Sequence, residues 1–185
     1  MNDRQRVLAA PADRIAALFG HGFSPGLAAD LAASARFATR FADAAVRRLG
    51  DLPPLAPDQS AALALAPDDL RDLVLRAGAV FHAAALARVI DGATRRNLTA
   101  SLGSDVYVAA LEGRGLAPPG APADEPPDDL PAAVSSDGEA CWAAWRERQP
   151  APVGSRLVLF GPRAAPKAAH KTYGPSIVSW LLDRR

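Results

Sequence analysis

Residues 67–90, PDDLRDLVLRAGAVFHAAALARVI, decide how this chain is read. Pro67, Asp68 and Asp69 make a helix start: proline suits the first turn, and carboxylates are favoured at the positive end of the helix dipole. From there the apolar residues recur at helical spacing and trace two faces. Leu70, Leu73, Val74, Ala77, Phe81 and Ala84 form one; Leu75, His82, Leu86 and Val89 form a second, about 120° away when each residue advances about 100°. A helix over 67–90 with two such faces needs contacts on two sides. It is either the central helix of a bundle or a helix whose second stripe receives a partner.

On the N-terminal side the chain reads as further helices, with no alternating strand pattern from Pro11 to Leu111. Ser24 followed by Pro25 is a hydroxyl cap before a first-turn proline. Leu27, Leu31, Ala38, Phe41, Ala45 and Leu49 then mark one buried helical face. The three prolines within Asp51–Pro57 break it, and a short segment around Ala61–Leu65 follows. On the C-terminal side Asp91 and Gly92 interrupt the long helix, Ala93–Leu102 restarts it, and Gly103, Ser104 and Asp105 stop and recap it before Val106–Leu111.

From Gly113 to Ser136 the character changes. Pro118, Pro119, Pro122, Pro126, Pro127 and Pro131 punctuate a stretch with few large apolar residues, which predicts a linker or surface excursion. Glu112–Glu139 carries a net charge of −6, whereas Ala151–Arg185 carries +5, so the two attract weakly and in a salt-dependent way. Asp137–Gln149 is expected to be a helix with Trp142 and Trp145 on one face. Arg156–Phe160 reads equally as a short strand or a helical turn, and Pro175 is expected to open a last helix carrying Trp180. The fold class is therefore mainly α: an irregular multi-helix bundle with a Pro-rich acidic linker and a small C-terminal helical unit. The expected organisation is a helical domain over residues 1–112, the linker or surface loop over 113–136, and a C-terminal helical segment over 137–185 that packs on the main domain.

The chain has 185 residues, room for one ordinary domain with a sizeable core. No run reaches the ~18 to 20 apolar residues of a membrane span, and the polar opening lacks a secretory pattern. A single cysteine, Cys141, makes no internal disulfide, which fits a reducing cytosol. A net charge of +1 argues against a dedicated nucleic-acid binder.

Motifs that resemble catalytic ones have simpler readings. Gly22-Phe23-Ser24-Pro25-Gly26 matches a nucleophile elbow, but the residue after the serine must lend a backbone N–H to the oxyanion hole, and Pro25 has none. Gly161–Lys167 has prolines where a phosphate loop needs donors. Asn97-Leu98-Thr99 lies within a helical segment. His21, His82 and His170 lack helical metal-ligand spacing; His82 is expected at the edge of the second stripe, and His21 and His170 in loops. Asp68 with Asp69 and Asp128 with Asp129 read as capping or solvated charge, and Cys141 as buried. These readings predict no catalytic residue, no metal, no cofactor and no small-molecule substrate.

The run Leu73-Val74-Leu75-Arg76-Ala77-Gly78-Ala79-Val80-Phe81-His82, then Leu86, Val89-Ile90-Asp91-Gly92, Leu102-Gly103, Val106-Tyr107 and Ala110-Leu111, resembles the SctK (YscK) family of type III secretion proteins. A second match follows the linker, with Trp145, Gln149-Pro150, Val153 and Arg156-Leu157-Val158-Leu159. The resemblance covers about half the chain in the right order. It implies a mainly helical, non-enzymatic cytosolic adaptor of the injectisome sorting platform. Such a protein links the SctD-like inner-membrane ring protein to the SctQ-like cargo-binding platform protein, and is peripheral to the inner membrane through those partners only.

On that reading the candidate partner-binding residues are Arg95 and Arg96, which could meet an acidic patch, Leu75 and Leu86 of the second stripe, and Trp180 in the tail. Gly92, Gly103 and Tyr107 are read as structural. The alternative is a small helical protein that binds nucleic acid or an anionic surface through the basic C-terminal tail. A third possibility is a hydrolase using Ser24.

Overall fold

The computed structural model describes residues 2–89, 91–119 and 129–185. Every regular element among them is helical: twelve α-helices, α1 to α12 in chain order, and one short 3₁₀ turn, Arg114–Leu116. The chain divides into two compact units, each with two pieces of sequence. The first comprises Met1–Ala64 and Pro150–Gly161, the second Leu65–Gln149 and Pro162–Arg185. No helix among the described residues is long and apolar enough to cross a membrane.

The first unit contains α1 (Asp3–Ala9), α2 (Ala12–Phe19), α3 (Pro25–Ala33), α4 (Ala38–Leu49), α5 (Pro57–Ala64) and α11 (Ala151–Val158). Its core gathers Val7, Ile15, Phe41, Ala45, Leu49 and Leu159, and Phe19, Phe23 and Phe41 stack with ring centroids 4.6 to 5.9 Å apart. The face expected to run unbroken from Leu27 to Leu49 is divided between α3 and α4. Ser34 is extended at the end of α3, and the chain turns before Ala38. Arg156–Phe160, ambiguous in the sequence, belongs to α11 and the turn that follows it.

Arg156 organises this unit from inside it. Its side chain is buried; Nε donates to Asp3 Oδ2 at 2.9 Å, Nη1 to the carbonyls of Leu49 (3.3 Å) and Pro152 (2.9 Å), and Nη2 to the carbonyl of Gly50 (2.9 Å). Leu49 and Gly50 end α4, where carbonyls lack intrahelical donors and the dipole favours a cation. One guanidinium thus closes α4 and fastens it to α1 and α11.

The second unit contains α6 (Pro67–Phe81), α7 (Ala83–Ala87), α8 (Gly92–Leu102), α9 (Ser104–Glu112), α10 (Leu130–Glu147) and α12 (Ala168–Leu182). Helix α10 lies against both α6 and α12, and α9 packs on α6. Glycine permits the closest crossing. A Cβ on Gly78 of α6 would collide with the Val134 carbonyl of α10, and one on Gly138 with the Val74 carbonyl of α6. Farther along α10, a Cβ on Gly174 of α12 would sit 2.9 Å from the Cys141 Cα. Three glycines therefore bring three helix backbones into direct contact.

Several sequence expectations need correction here. The helix expected over 67–90 breaks at His82: α7 turns to pack on α9, while His82 stays beside Asp137 of α10. Helix α10 begins at Leu130, not Asp137; Asp129 caps it by accepting the Ala132 N–H at 3.1 Å, and Pro131 sits in the first turn. The linker expected to reach 136 thus ends before α10, and its stretch 120–128 lies outside the described residues.

Pro175 does not open the last helix but lies inside α12. A proline there leaves the carbonyl four residues earlier without its donor. That carbonyl belongs to Lys171, and Nη2 of Arg148, the C-cap of α10, donates to it at 2.6 Å. His170, expected in a loop, is buried on the same helix.

Candidate functional site

The second apolar stripe is used within the second unit. Leu86 is fully buried in a core with Ala83, Leu98, Leu102, Tyr107 and Val134, and Leu75 and Val89 pack half-buried against it. The Tyr107 hydroxyl donates to the Leu86 carbonyl at 3.3 Å. Leu86 thus offers no surface to a partner, and Leu75 offers little.

Arg95, Arg96 and Trp180 are placed differently. Helix α8 is capped by Asp91, whose carboxylate accepts the Thr94 N–H at 2.7 Å, and it ends at Gly103, whose φ of 96° suits glycine. Between those signals only Leu98 and Leu102 are buried, so most of α8 faces solvent. Backbone and side-chain hydrogen bonds from Thr94, with one from the Ala93 backbone, hold the exposed Asp91 carboxyl below its usual range. Arg95 and Arg96 project from this helix and line a shallow depression of about 460 Å³ with Thr99, Ala100 and Ser104. The Arg95 guanidinium lies 5.2 Å from the centre of the Tyr107 ring.

Trp180 lies half-buried on α12 at the edge of a groove of about 330 Å³, where Leu73 and Arg76 of α6, Ala109 and Glu112 of α9, and the C-terminal arginines also contribute. Arg184 covers the Trp180 ring at 4.3 Å. Arg76 pairs with Asp72 at 2.9 Å, and Arg185 with Asp69 and Asp72 at 3.2 and 3.5 Å. Between the depression and the groove, α9 presents Val108 and Leu111, which are 50% and 40% exposed. Sequence reading passed over these two because they sit within a helix otherwise rich in core residues.

A polar cluster lies elsewhere in the unit. Asp137 of α10 accepts from His82 at 2.6 Å through Oδ2 and from His170 at 3.1 Å through Oδ1. The Lys167 N–H donates to His170 Nδ1 at 3.1 Å, which leaves the ring proton on Nε2, pointing at Asp137. Cys141 is one turn along α10; burial, with help from the Asp137 charge, pushes its thiol up to about 12. At that value it is a thiol, not a nucleophilic thiolate. Among the described residues, no group of three or more His, Cys, Asp or Glu is arranged to hold a metal ion.

Ser24 caps α3, its Oγ accepting the Leu27 N–H at 3.1 Å. The cations of the C-terminal stretch are largely engaged: Arg156 is buried with Asp3, Lys171 lies 3.5 Å from Glu147, and Arg185 pairs as above. Asn97-Leu98-Thr99 lies on α8, where the Thr99 hydroxyl donates to the Arg95 carbonyl at 2.9 Å.

Two comparisons, with curated proteins and with solved structures, return no match. Residues 48–177, which run through both units, match the family described as YOP proteins translocation protein K (YscK). The Gly78 crossing, the Asp91 cap and the buried Arg156 all fall within the matched span. On that match the chain belongs to the YscK family of type III secretion proteins.

Proposed function

We propose that this chain is a cytoplasmic adaptor of the type III secretion sorting platform, joining an SctD-like inner-membrane ring protein to an SctQ-like platform protein and acting by binding, without turnover. Family membership supports the reading. The structural observation that carries it is that each unit has a core of its own and, beyond it, its own exposed apolar side chains. These include Leu27 and Phe37 in the first unit and Val108 and Leu111 in the second. An adaptor needs two separate surfaces from which water can be displaced, and exposed large apolar residues mark such surfaces. The protein is recruited to the inner face of the membrane through its partners.

Co-purification of the full chain with each partner, singly and together, tests this. Binding to both, with all three recovered in one complex, is the expected result. Folded protein that binds neither native partner ends the proposal.

A further inference from the structure

We infer that the α8–α9 face of the second unit is a docking surface for an acidic amphipathic helix of a partner protein. The inference rests on the adaptor reading and adds to it the place and the chemistry of one contact.

The argument starts from what α9 leaves uncovered. Val106, Tyr107, Ala109 and Ala110 turn into the core, whereas Ser104, Val108 and Leu111, spaced by four and three residues, form a stripe in solvent. Val108 and Leu111 are the large apolar residues of this unit exposed beyond a third of their surface among those described. A stripe of that spacing between two hollows takes another helix, because ridges of side chains on one helix fit grooves on the next.

Charge sets the kind of helix. The hollow beside the stripe on the α8 side is lined by Arg95 and Arg96, and among the described residues neither pairs with a carboxylate. The opposite flank carries Asp105 and Glu112, with Arg76 3.9 Å from Asp105 and Arg184 lying on Trp180. The uncompensated charge is thus positive and lies along α8. A docked helix would set apolar residues on Val108 and Leu111 and a row of Asp or Glu toward Arg95 and Arg96. The stacked Arg95 guanidinium is already oriented, which lowers the ordering cost of such a contact.

Calorimetry with the purified full chain and each purified partner (SctD-like cytoplasmic domain, SctQ-like protein) tests this, using R95E/R96E, V108D and, in the first unit, L27D. The first two variants should weaken one partner by about tenfold or more, and the salt dependence of that binding should flatten in R95E/R96E. R95K/R96K should keep most of the affinity, and L27D should leave that partner within about twofold. Circular dichroism first checks that every variant is folded. If both partners bind R95E/R96E and V108D as they bind wild type, the docking surface is wrong and the adaptor reading stands. If wild type binds neither, both fall.

Discussion

Arg156 and Asp3 stand 153 positions apart in the chain, and the Arg156 Nε donates to the Asp3 Oδ2 across 2.9 Å. The same guanidinium closes the end of α4, so truncation leaves several carbonyls and a carboxylate without their donor. Arg156→Ala should destabilise the first unit by about 3 to 5 kcal/mol, the usual cost of breaking a buried charged network. Asp3→Ala, which leaves the backbone contacts in place, should cost about 1 to 2 kcal/mol. Urea unfolding followed by circular dichroism measures both; the tryptophans, Trp142, Trp145 and Trp180, report only on the second unit.

Asp137 is expected to hold the second unit together as Arg156 holds the first. It receives hydrogen bonds from His82 and His170 on two other elements. Asp137→Ala should cost about 2 to 4 kcal/mol, since two partly buried imidazoles lose their acceptor together. Tryptophan fluorescence during urea unfolding is the readout, and a midpoint equal to wild type would refute the role assigned to this carboxylate.

The α6–α10 crossing admits no added side chain. Gly78→Ala and Gly138→Ala should each destabilise the second unit by about 2 to 3 kcal/mol, although alanine is the better helix former by about 1 kcal/mol. Gly115→Ala, where a Cβ meets nothing within 4 Å, is the control that should be neutral. Thermal melts of the three variants test the difference.

Cys141 should resist alkylation in the native protein. With its thiol pushed up to about 12, almost no thiolate exists at neutral pH, and burial blocks access as well. Iodoacetamide labelling followed by mass spectrometry should show modification only in denaturant. Rapid labelling of folded protein would show that α10 and α12 open readily.

The cap of α8 carries a pH signature. Hydrogen bonds from Thr94 depress the folded-state Asp91 carboxyl below its unfolded value, so its contribution is present above the unfolded value and lost as pH falls through the folded one. Amide exchange at Thr94 should therefore quicken as pH drops below about 4, after correction for intrinsic exchange. In Asp91→Asn, which caps without titrating, that acceleration should vanish.

What the sequence disclosed was local. Ser24 and Gly103 were legible because a helix end is a relationship among four or five neighbouring residues; Asp91, read as an interruption, is the cap of α8. Pro175 was misread because the donor that compensates it, Arg148, lies 23 residues before the Lys171 carbonyl it serves, at the end of another helix. His170 looked like a loop residue for the same reason: its partner Asp137 is 33 positions distant. Whether the second stripe met a core or a partner stayed open in the sequence because its cover, α9 and the start of α10, follows later in the chain. Of the candidate surface, Arg95, Arg96 and Trp180 could be named from residue type, whereas Val108 and Leu111 emerge only when the folded chain fails to cover them.

The missing N–H at Pro175 leaves two halves of the last helix that are anchored by different means. Toward the N-terminus His170 is clamped to Asp137; toward the C-terminus Trp180 and Arg184 border the groove. A helix bends most cheaply where one rung of its ladder is absent, and here the substitute rung comes from an exposed arginine that can let go. Beyond the proline Ile177, Val178, Leu181 and Leu182 are buried, so core packing holds the second half of the helix as the His170–Asp137 bond holds the first, and the helix runs on across the gap.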